Sequence, residues 1–310
     1  MDIQIENLSK SYGHQKAVDD ISFHVHTGEI LGFLGPNGAG KTTVMKMITG
    51  FLGMDAGSIK IGDIDVREQS ELSKKHIGYL PENNPLYSEM PLIEYLEFSA
   101  ALQNVKKEDI PARVKEMVKV CGLNAEKHKN IGELSKGYQQ RVGIAQAMIH
   151  DPEILILDEP TTGLDPNQIV EIRKLIRDLG KEKTVLLSTH ILPEVEAICD
   201  RILIIHKGKI VADDTSDTLR QKGHGQETVK VKIEDAEDSD VVLQALNALS
   251  SVKDADYAAR NKQVFNVQSK PEQSAARDIF SMCVKNNWVI TELIPKETKL
   301  EDIFRNLTMK

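Results

Sequence analysis

Eight residues, Gly35-Pro36-Asn37-Gly38-Ala39-Gly40-Lys41-Thr42, constrain the fold of this chain more than any other stretch. They fit the pattern G-x-x-x-x-G-K-[ST], in which a glycine-rich turn leads into a helix and wraps a polyphosphate. Glycine lets backbone N–H groups point inward at phosphate oxygens with no Cβ in the way. The positive end of the following helix adds to the attraction. Lys41 is placed to bridge β- and γ-phosphates, and the Thr42 hydroxyl to take a position on Mg²⁺, with Thr43 following in the helix. The flanks have the required texture. Glu29-Ile30-Leu31-Gly32-Phe33-Leu34 reads as a buried strand entering the turn, and Val44, Met47, Ile48, Phe51 and Leu52 recur afterwards at helical spacing. This arrangement predicts binding of a nucleoside triphosphate.

The remaining pattern predicts the sheet around that turn. Ile154-Leu155-Ile156-Leu157 is a fully apolar run, as expected of a central parallel strand, and Thr184-Val185-Leu186-Leu187-Ser188 is another. Between them Gln168–Leu179 is amphipathic, with Ile169, Ile172, Leu175, Ile176 and Leu179 on one face. Strand, helix and strand in this order imply a βαβ layout with a parallel core sheet. Residues 2–35 read as short strands and turns of an antiparallel sheet. Leu92–Val105, Lys107–Cys121 and Ser135–Ile149 read as helices.

Carboxyl groups follow the first apolar run. Asp158, at the end of a buried strand beside a phosphate turn, suits Mg²⁺, directly or through water. The adjacent Glu159 can act as general base on an attacking water if it lies within hydrogen-bond reach. His190 follows the second run and is expected at the same sheet edge, where an imidazole can donate to a γ-phosphate oxygen. In Leu134-Ser135-Lys136-Gly137-Tyr138, Ser135 is a helix N-cap candidate. A serine and a glycine N–H at a helix start form a further anion site.

Composition sets outer limits. The chain has 310 residues, enough for one large and one small domain, each with its own core. A formal net charge of −8 argues against a protein that coats nucleic acid. Cys121, Cys199 and Cys283 have no close spacing, so neither a disulfide framework nor a zinc site is expected, which fits a reducing compartment. No apolar run approaches a membrane span, and the N-terminus, alternating like a strand, carries no signal peptide.

A boundary is expected near Gln221-Lys222-Gly223-His224-Gly225, dividing a domain at 1–222 from one at 226–310. Beyond it, Thr228–Ile233, Val252–Arg260, Gln263–Val267 and Trp288–Ile294 read as strands. Ser239–Leu249 and Pro271–Asn286 read as helices, and Leu300–Leu307 as a last amphipathic turn. That βαββαβ order predicts a small α+β ferredoxin-like module.

Taken together, residues 2–222 resemble the nucleotide-binding subunit of ABC transporters. The resemblance rests on the phosphate loop Gly35–Thr42, the signature Leu134–Tyr138 just upstream of Leu155–Glu159, the D-loop-like Gly163-Leu164-Asp165-Pro166, and His190. Tyr12, in Ser9-Lys10-Ser11-Tyr12-Gly13, matches the aromatic residue that stacks on adenine in that family. The resemblance implies a P-loop α/β fold with a parallel core sheet, an antiparallel β subdomain and a helical subdomain. It implies ATP and Mg²⁺ as ligands and ATP hydrolysis as the activity. Gly35, Pro36, Asn37, Gly38, Ala39, Gly40, Lys41, Thr42 and Thr43 would hold the phosphates, and Ser135 and Gly137 would contact the ATP of a second subunit. With one copy of each motif, the chain is expected to work as a homodimer or with a paralogous ATPase. Its implied partner is a separate transmembrane permease, and its implied place the cytoplasmic face of the plasma membrane.

Two departures from the family pattern stand out. The signature, usually LSGGQ, has Lys136 and Tyr138 at its third and fifth positions, with Ser135 and Gly137 retained. Glu82, in Gly78-Tyr79-Leu80-Pro81-Glu82-Asn83, stands where the family has a glutamine that touches Mg²⁺ and the attacking water. Glu82 therefore joins Thr42 and Asp158 as an expected metal contact and Glu159 and His190 as an expected catalytic residue. Around it, Pro85, Leu86, Tyr87, Met90, Pro91 and Tyr95 form either an apolar docking patch for a membrane subunit or packing within the domain.

The tail Lys299-Leu300-Glu301-Asp302-Ile303-Phe304 resembles the export branch that handles drugs, polysaccharides or lipids. Short strings such as Ser135-Lys136-Gly137-Tyr138 are most similar to gliding-motility-associated members. The C-terminal module reads as a dimerisation or stabilising domain, with ligand sensing as the other reading. The competing function is a soluble ABC-type ATPase acting on ribosomes or DNA. The single nucleotide domain, the absence of long coiled coils and the acidic balance weigh against it.

Overall fold

The computed structural model describes residues 1–223, 228–236, 238–258, 263–270, 273–296 and 300–308. They form two compact units, Met1–Thr215 and Ser216–Lys310.

The first unit begins with β1 (Ile3–Tyr12) and β2 (Gln15–Val25), an antiparallel hairpin turning at Tyr12 and Gln15. Next come β3 (Ile30–Leu34), α1 (Lys41–Ile48), β4 (Ala56–Ile61), β5 (Ile64–Asp65), α2 (Ser70–Lys74) and β6 (Ile77–Leu80). Helices α3 (Leu92–Leu102), α4 (Ile110–Val120) and α5 (Lys136–Met148) follow. The unit continues through β7 (Ile154–Asp158), α6 (Pro166–Gly180), β8 (Thr184–Thr189), α7 (Leu192–Ile198), β9 (Arg201–His206) and β10 (Lys209–Asp214).

Two sheets result. The antiparallel one has the order β2-β1-β4-β5 and the other the order β10-β9-β3-β8-β7-β6. In the second, β9, β3, β8, β7 and β6 are parallel, and only the edge strand β10 runs antiparallel. The pattern of residues 2–35 predicts one antiparallel sheet throughout; β3 instead lies inside the parallel one. Its five residues are all buried, so it is covered on both faces, the condition that produces an unbroken apolar run.

Alternation along the strands sorts side chains between two cores. Leu31, Phe33, Ile154, Ile156 and Leu186 face the core shared with the antiparallel sheet and α1. Ile30, Leu155, Leu157, Val185 and Leu187 face the core shared with α3, α4, α5 and α6. On α6 the buried aliphatic side chains are Ile172, Leu175, Ile176 and Leu179, and each contributes about 1.5–3 kcal/mol by leaving water. Pro166 occupies the first turn and Asp165 caps the helix, accepting from the Asn167 and Gln168 N–H groups at 3.0 Å each.

The second unit comprises α8 (Ser216–Gly223), β11 (Thr228–Glu234), α9 (Ser239–Asn247), β12 (Val252–Tyr257), β13 (Val264–Ser269), α10 (Ala276–Lys285), β14 (Val289–Lys296) and α11 (Leu300–Thr308). The βαββαβ order is present, with a fully antiparallel sheet in the order β12-β13-β11-β14. Val231, Ile233, Leu246, Phe265, Val267 and Ile279 form its core. The unit begins five residues before the polar stretch expected as the boundary, because α8 packs against α11. His224 and Gly225 lie outside the described residues, as do Arg260, Pro271 and Lys299.

The cysteines are all free, with Cys121 and Cys283 buried and Cys199 half-buried. Burial pushes the Cys121 thiol up to about 12. Among the described residues no helix is long and apolar enough to cross a membrane.

Candidate nucleotide site

Strand register assembles the site. In the parallel sheet Leu34 lies beside Thr189, Asp158 beside Ser188, and Leu80 beside Leu157. The chain therefore leaves β3, β6, β7 and β8 at one edge, carrying the phosphate turn, Glu82, Asp158-Glu159 and His190. The carboxyl edge of a parallel sheet is where α/β folds bind ligands.

The phosphate turn is preformed. Gly38 and Gly40 have φ of 79° and 112°, values open to glycine but costly for side chains. A Cβ on Gly40 would strike the Ala17 carbonyl oxygen, and one on Gly35 would lie 2.5 Å from that of Ile205. Lys41, 6% exposed, donates to the carbonyls of Gly35 at 2.8 Å and Pro36 at 3.4 Å. Its Nζ also stands 3.4 Å from Glu159 Oε1.

Glu159 sits between Lys41 and His190. It is 6% exposed, with Oε2 at 2.8 Å from His190 Nδ1. Thr162 Oγ1 also donates to Oε2, at 3.3 Å. Glu159 has a left-handed backbone, φ 51°, held by its N–H to Ser188 O at 3.1 Å and its carbonyl to Thr162 N at 3.2 Å. Asp158 is fully buried. Ser188 Oγ donates to its Oδ1, while Oδ2 has no partner among the described residues. An unmatched buried carboxyl oxygen is costly, and a hard cation is a suitable partner for it. The neighbouring Tyr79 phenol is pushed up by burial and by the charges of Asp158 and Glu82.

Asn37, Gly38, Gly40, Lys41, Thr42, Thr43, Glu82 and Glu159 line one open cleft, together with Ala17. Ala17 had no signal in the sequence; only the β1–β2 hairpin brings it there. Tyr12, on the same hairpin, is 53% exposed. Gly35, Pro36 and Ala39 of the turn do not line the cleft.

Ser135 and Gly137 do not reach this cleft. Ser135 caps α5, accepting from Tyr138 N at 3.4 Å. Gly137 is buried against Gln168 of α6, where a Cβ would come within 2.6 Å of the side chain. Lys136 Nζ lies 3.3 Å from the point a Cβ on Gly163 would occupy. The apolar residues near Glu82 divide. Tyr95 is buried and donates to Gln146 Oε1 at 2.6 Å, while Leu86 and Met90 pack on the core. Tyr87, 57% exposed, meets the rings of Tyr95 and Phe98, each at 5.9 Å, and Leu102 is exposed on the same helix as Phe98.

Turn, lysine, buried strand-end carboxyl groups and sheet edge define an ATPase of the P-loop class. The comparisons narrow the class. The ABC transporter family model matches residues 18–162. An uncharacterized ABC transporter ATP-binding protein, YxlF of Bacillus subtilis, is 35% identical over 302 residues, covering 97% of this chain and 98% of its own length. The bacitracin transport ATP-binding protein BcrA of Bacillus licheniformis is 34% identical, covering 98% and 96%. The dimeric structure of MJ0796, a bacterial ABC transporter cassette, superimposes with a TM-score of 0.62 at 25% identity, over 69% of this chain and 98% of that one. The chain belongs to the ABC transporter ATP-binding proteins. It is an ATP-binding, ATP-hydrolysing subunit.

Proposed function

We propose that this subunit drives a separate membrane-spanning export permease by closing and opening as a dimer around two ATP molecules. The observation that carries the proposal is the convergence of Lys41, Glu159 and His190 beside one cleft, with Ser135 and Gly137 outside it. A phosphate site that lacks its signature contacts within one chain is completed by a second copy or a paralogue, and the relative MJ0796 forms a dimer. Lys41, Thr42 and Thr43 with the turn Gly35–Gly40 bind the phosphates, and Tyr12 stacks on adenine. Glu159 takes the proton of the attacking water. His190, oriented through Nδ1 by Glu159, presents its other nitrogen to the γ-phosphate.

Mg²⁺ fits the residues present. Asp158 Oδ2, Thr42 Oγ1 and Glu82 are the groups that would hold it, and the ion would supply positive charge to offset that of the phosphates. We assign this chemistry to residues 1–222 and an accessory, stabilising or dimerising role to residues 226–310. The bacitracin transport relative supports export of a drug- or lipid-like compound. Tyr87 with Phe98 offers an apolar docking point for the permease, and the protein acts from the cytoplasmic face of the plasma membrane.

The test is purification of the tagged chain from detergent-solubilised membranes. A copurifying multi-span membrane protein supports the proposal. Recovery exclusively with ribosomes or DNA replaces it with a non-transport machine.

A further inference from the structure

Two hydroxyls from different turns of the site end on one buried side chain that never touches the cleft. Glu194, on α7, is 1% exposed. Its Oε1 accepts from Thr161 Oγ1 at 2.5 Å, and its Oε2 accepts from Thr189 Oγ1 at 2.8 Å. Thr189 Oγ1 in turn accepts from the Ile191 N–H at 3.0 Å, closing the backbone around His190. Arg173 of α6 brings Nη2 within 4.0 Å of Oε1. Thr161 and Thr189 are buried as well, at 2% and 0% exposure.

The placement of those threonines gives the contact its meaning. Thr161 lies two residues after Glu159, and Thr189 immediately precedes His190. The same two turns are joined a second time by the Glu159–His190 pair itself, 2.8 Å apart. Glu159 holds a left-handed backbone, a conformation that persists only where its surroundings over-determine it. A buried carboxyl is an expensive way to anchor a turn, since it needs a partner for each oxygen. Here it gains what one hydroxyl lacks: two acceptors that fix both turns at a set separation.

We propose that Glu194 is a positioning residue for ATP hydrolysis. It holds the turn of Glu159 at a fixed distance from the turn of His190 and, through Arg173, ties both to α6. This rests on the assignment of Glu159 and His190 to the reaction. When the buried link is cut, the carboxyl and imidazole lose their mutual alignment while the phosphate turn and Lys41, anchored elsewhere, still bind nucleotide.

The full chain is assayed for steady-state ATP hydrolysis and for ATP binding as Glu194→Gln, Thr161→Val, Thr161→Ser and the double variant Glu194→Gln/Thr161→Val. Glu159→Gln is run beside them. The carboxamide offers one acceptor oxygen where two hydroxyls need two. The expected result for Glu194→Gln and Thr161→Val is a kcat about 10- to 100-fold lower with KM unchanged within about twofold. Thr161→Ser, which restores the hydroxyl, recovers parental kcat. The double variant is no slower than the worse single one, because both break one link. Parental kcat in folded Glu194→Gln, with Glu159→Gln inactive, overturns the positioning role alone. Parental kcat in Glu159→Gln overturns it together with the assignment beneath it. A kcat loss in Thr161→Val that Thr161→Ser does not recover also overturns it.

Discussion

Replacing Glu159 by glutamine separates chemistry from binding more cleanly than any other change at this site. The substitution keeps volume and planarity, so the left-handed backbone at Glu159 and its two backbone hydrogen bonds remain. What disappears is a proton acceptor. One general base is worth at least about a hundredfold, or ~2.7 kcal/mol of barrier at ~1.36 kcal/mol per decade. The structural cost is smaller. Lys41 loses an anionic neighbour at 3.4 Å but keeps the Gly35 and Pro36 carbonyls, so the stability change is about 1–2 kcal/mol. A loss of that size leaves nearly all molecules folded when domain stability is about 5–15 kcal/mol. Unfolding therefore contributes almost nothing to a hundredfold loss of rate. The assay is phosphate release at saturating ATP and Mg²⁺, beside equilibrium nucleotide binding and size-exclusion chromatography with ATP. The expected variant binds ATP, turns over at least about a hundredfold more slowly, and accumulates as an ATP-dependent dimer. Turnover within roughly threefold of the parent, less than ~0.7 kcal/mol of barrier, refutes the role of Glu159.

Glu82→Gln removes one negative charge from the cleft, and the Mg²⁺ concentration for half-maximal ATPase should rise about fivefold, the effect of ~1 kcal/mol for one exposed metal-facing charge. Unchanged Mg²⁺ dependence and rate make Glu82 a neutral replacement for the family's glutamine. His150 is pushed below its ordinary value by burial, despite the hydrogen bond of its Nε2 with Ile77 O. Because the unfolded chain takes up this proton first, stability is full above about 6.5 and falls as pH drops through the folded-state value. The urea midpoint should decline less between pH 7.5 and 5.5 in His150→Gln than in the parent, and parallel declines remove His150 as a source. Leu246 is fully buried in the second unit, and Leu246→Ala should cost about 2–5 kcal/mol. Trp288 is the chain's single tryptophan and packs on that same core. Its fluorescence should report the shift, and an unmoved midpoint refutes the packing argument.

The route from residues to site was short where the chemistry is local. Gly35–Thr42 carries its own geometry, since only glycines tolerate the turn and the lysine and threonine follow at fixed spacing. The fully apolar runs at Ile154–Leu157 and Val185–Leu187 could belong only to strands covered on both faces, and a carboxyl placed directly after such a run emerges at the strand's end. Periodicity likewise exposed the buried face of α6. It was less useful for β3, where five buried residues in a row carry no alternation to tell an antiparallel neighbour from a parallel one. The patch around Tyr87 stayed open between docking and internal packing. Spacing shows that Leu86, Met90 and Tyr95 are apolar, but not which of them the helical core has already claimed.

Local pattern thus pointed to a chain that wraps a triphosphate, to carboxyl groups and a histidine at the same sheet edge, and to a βαββαβ module after them. Which residues meet was decided by strand order. Placing β3, β8 and β7 side by side sets Glu159 between Lys41 and His190, residues 118 and 31 positions away in the chain. The same order buries Asp158 Oδ2 without a partner, brings Ala17 to the cleft, and lets Glu194 hold two turns at once. None of these has a sequence signature, because each depends on contacts between segments distant along the chain, and hydrogen-bond geometry exists only after the sheet has closed.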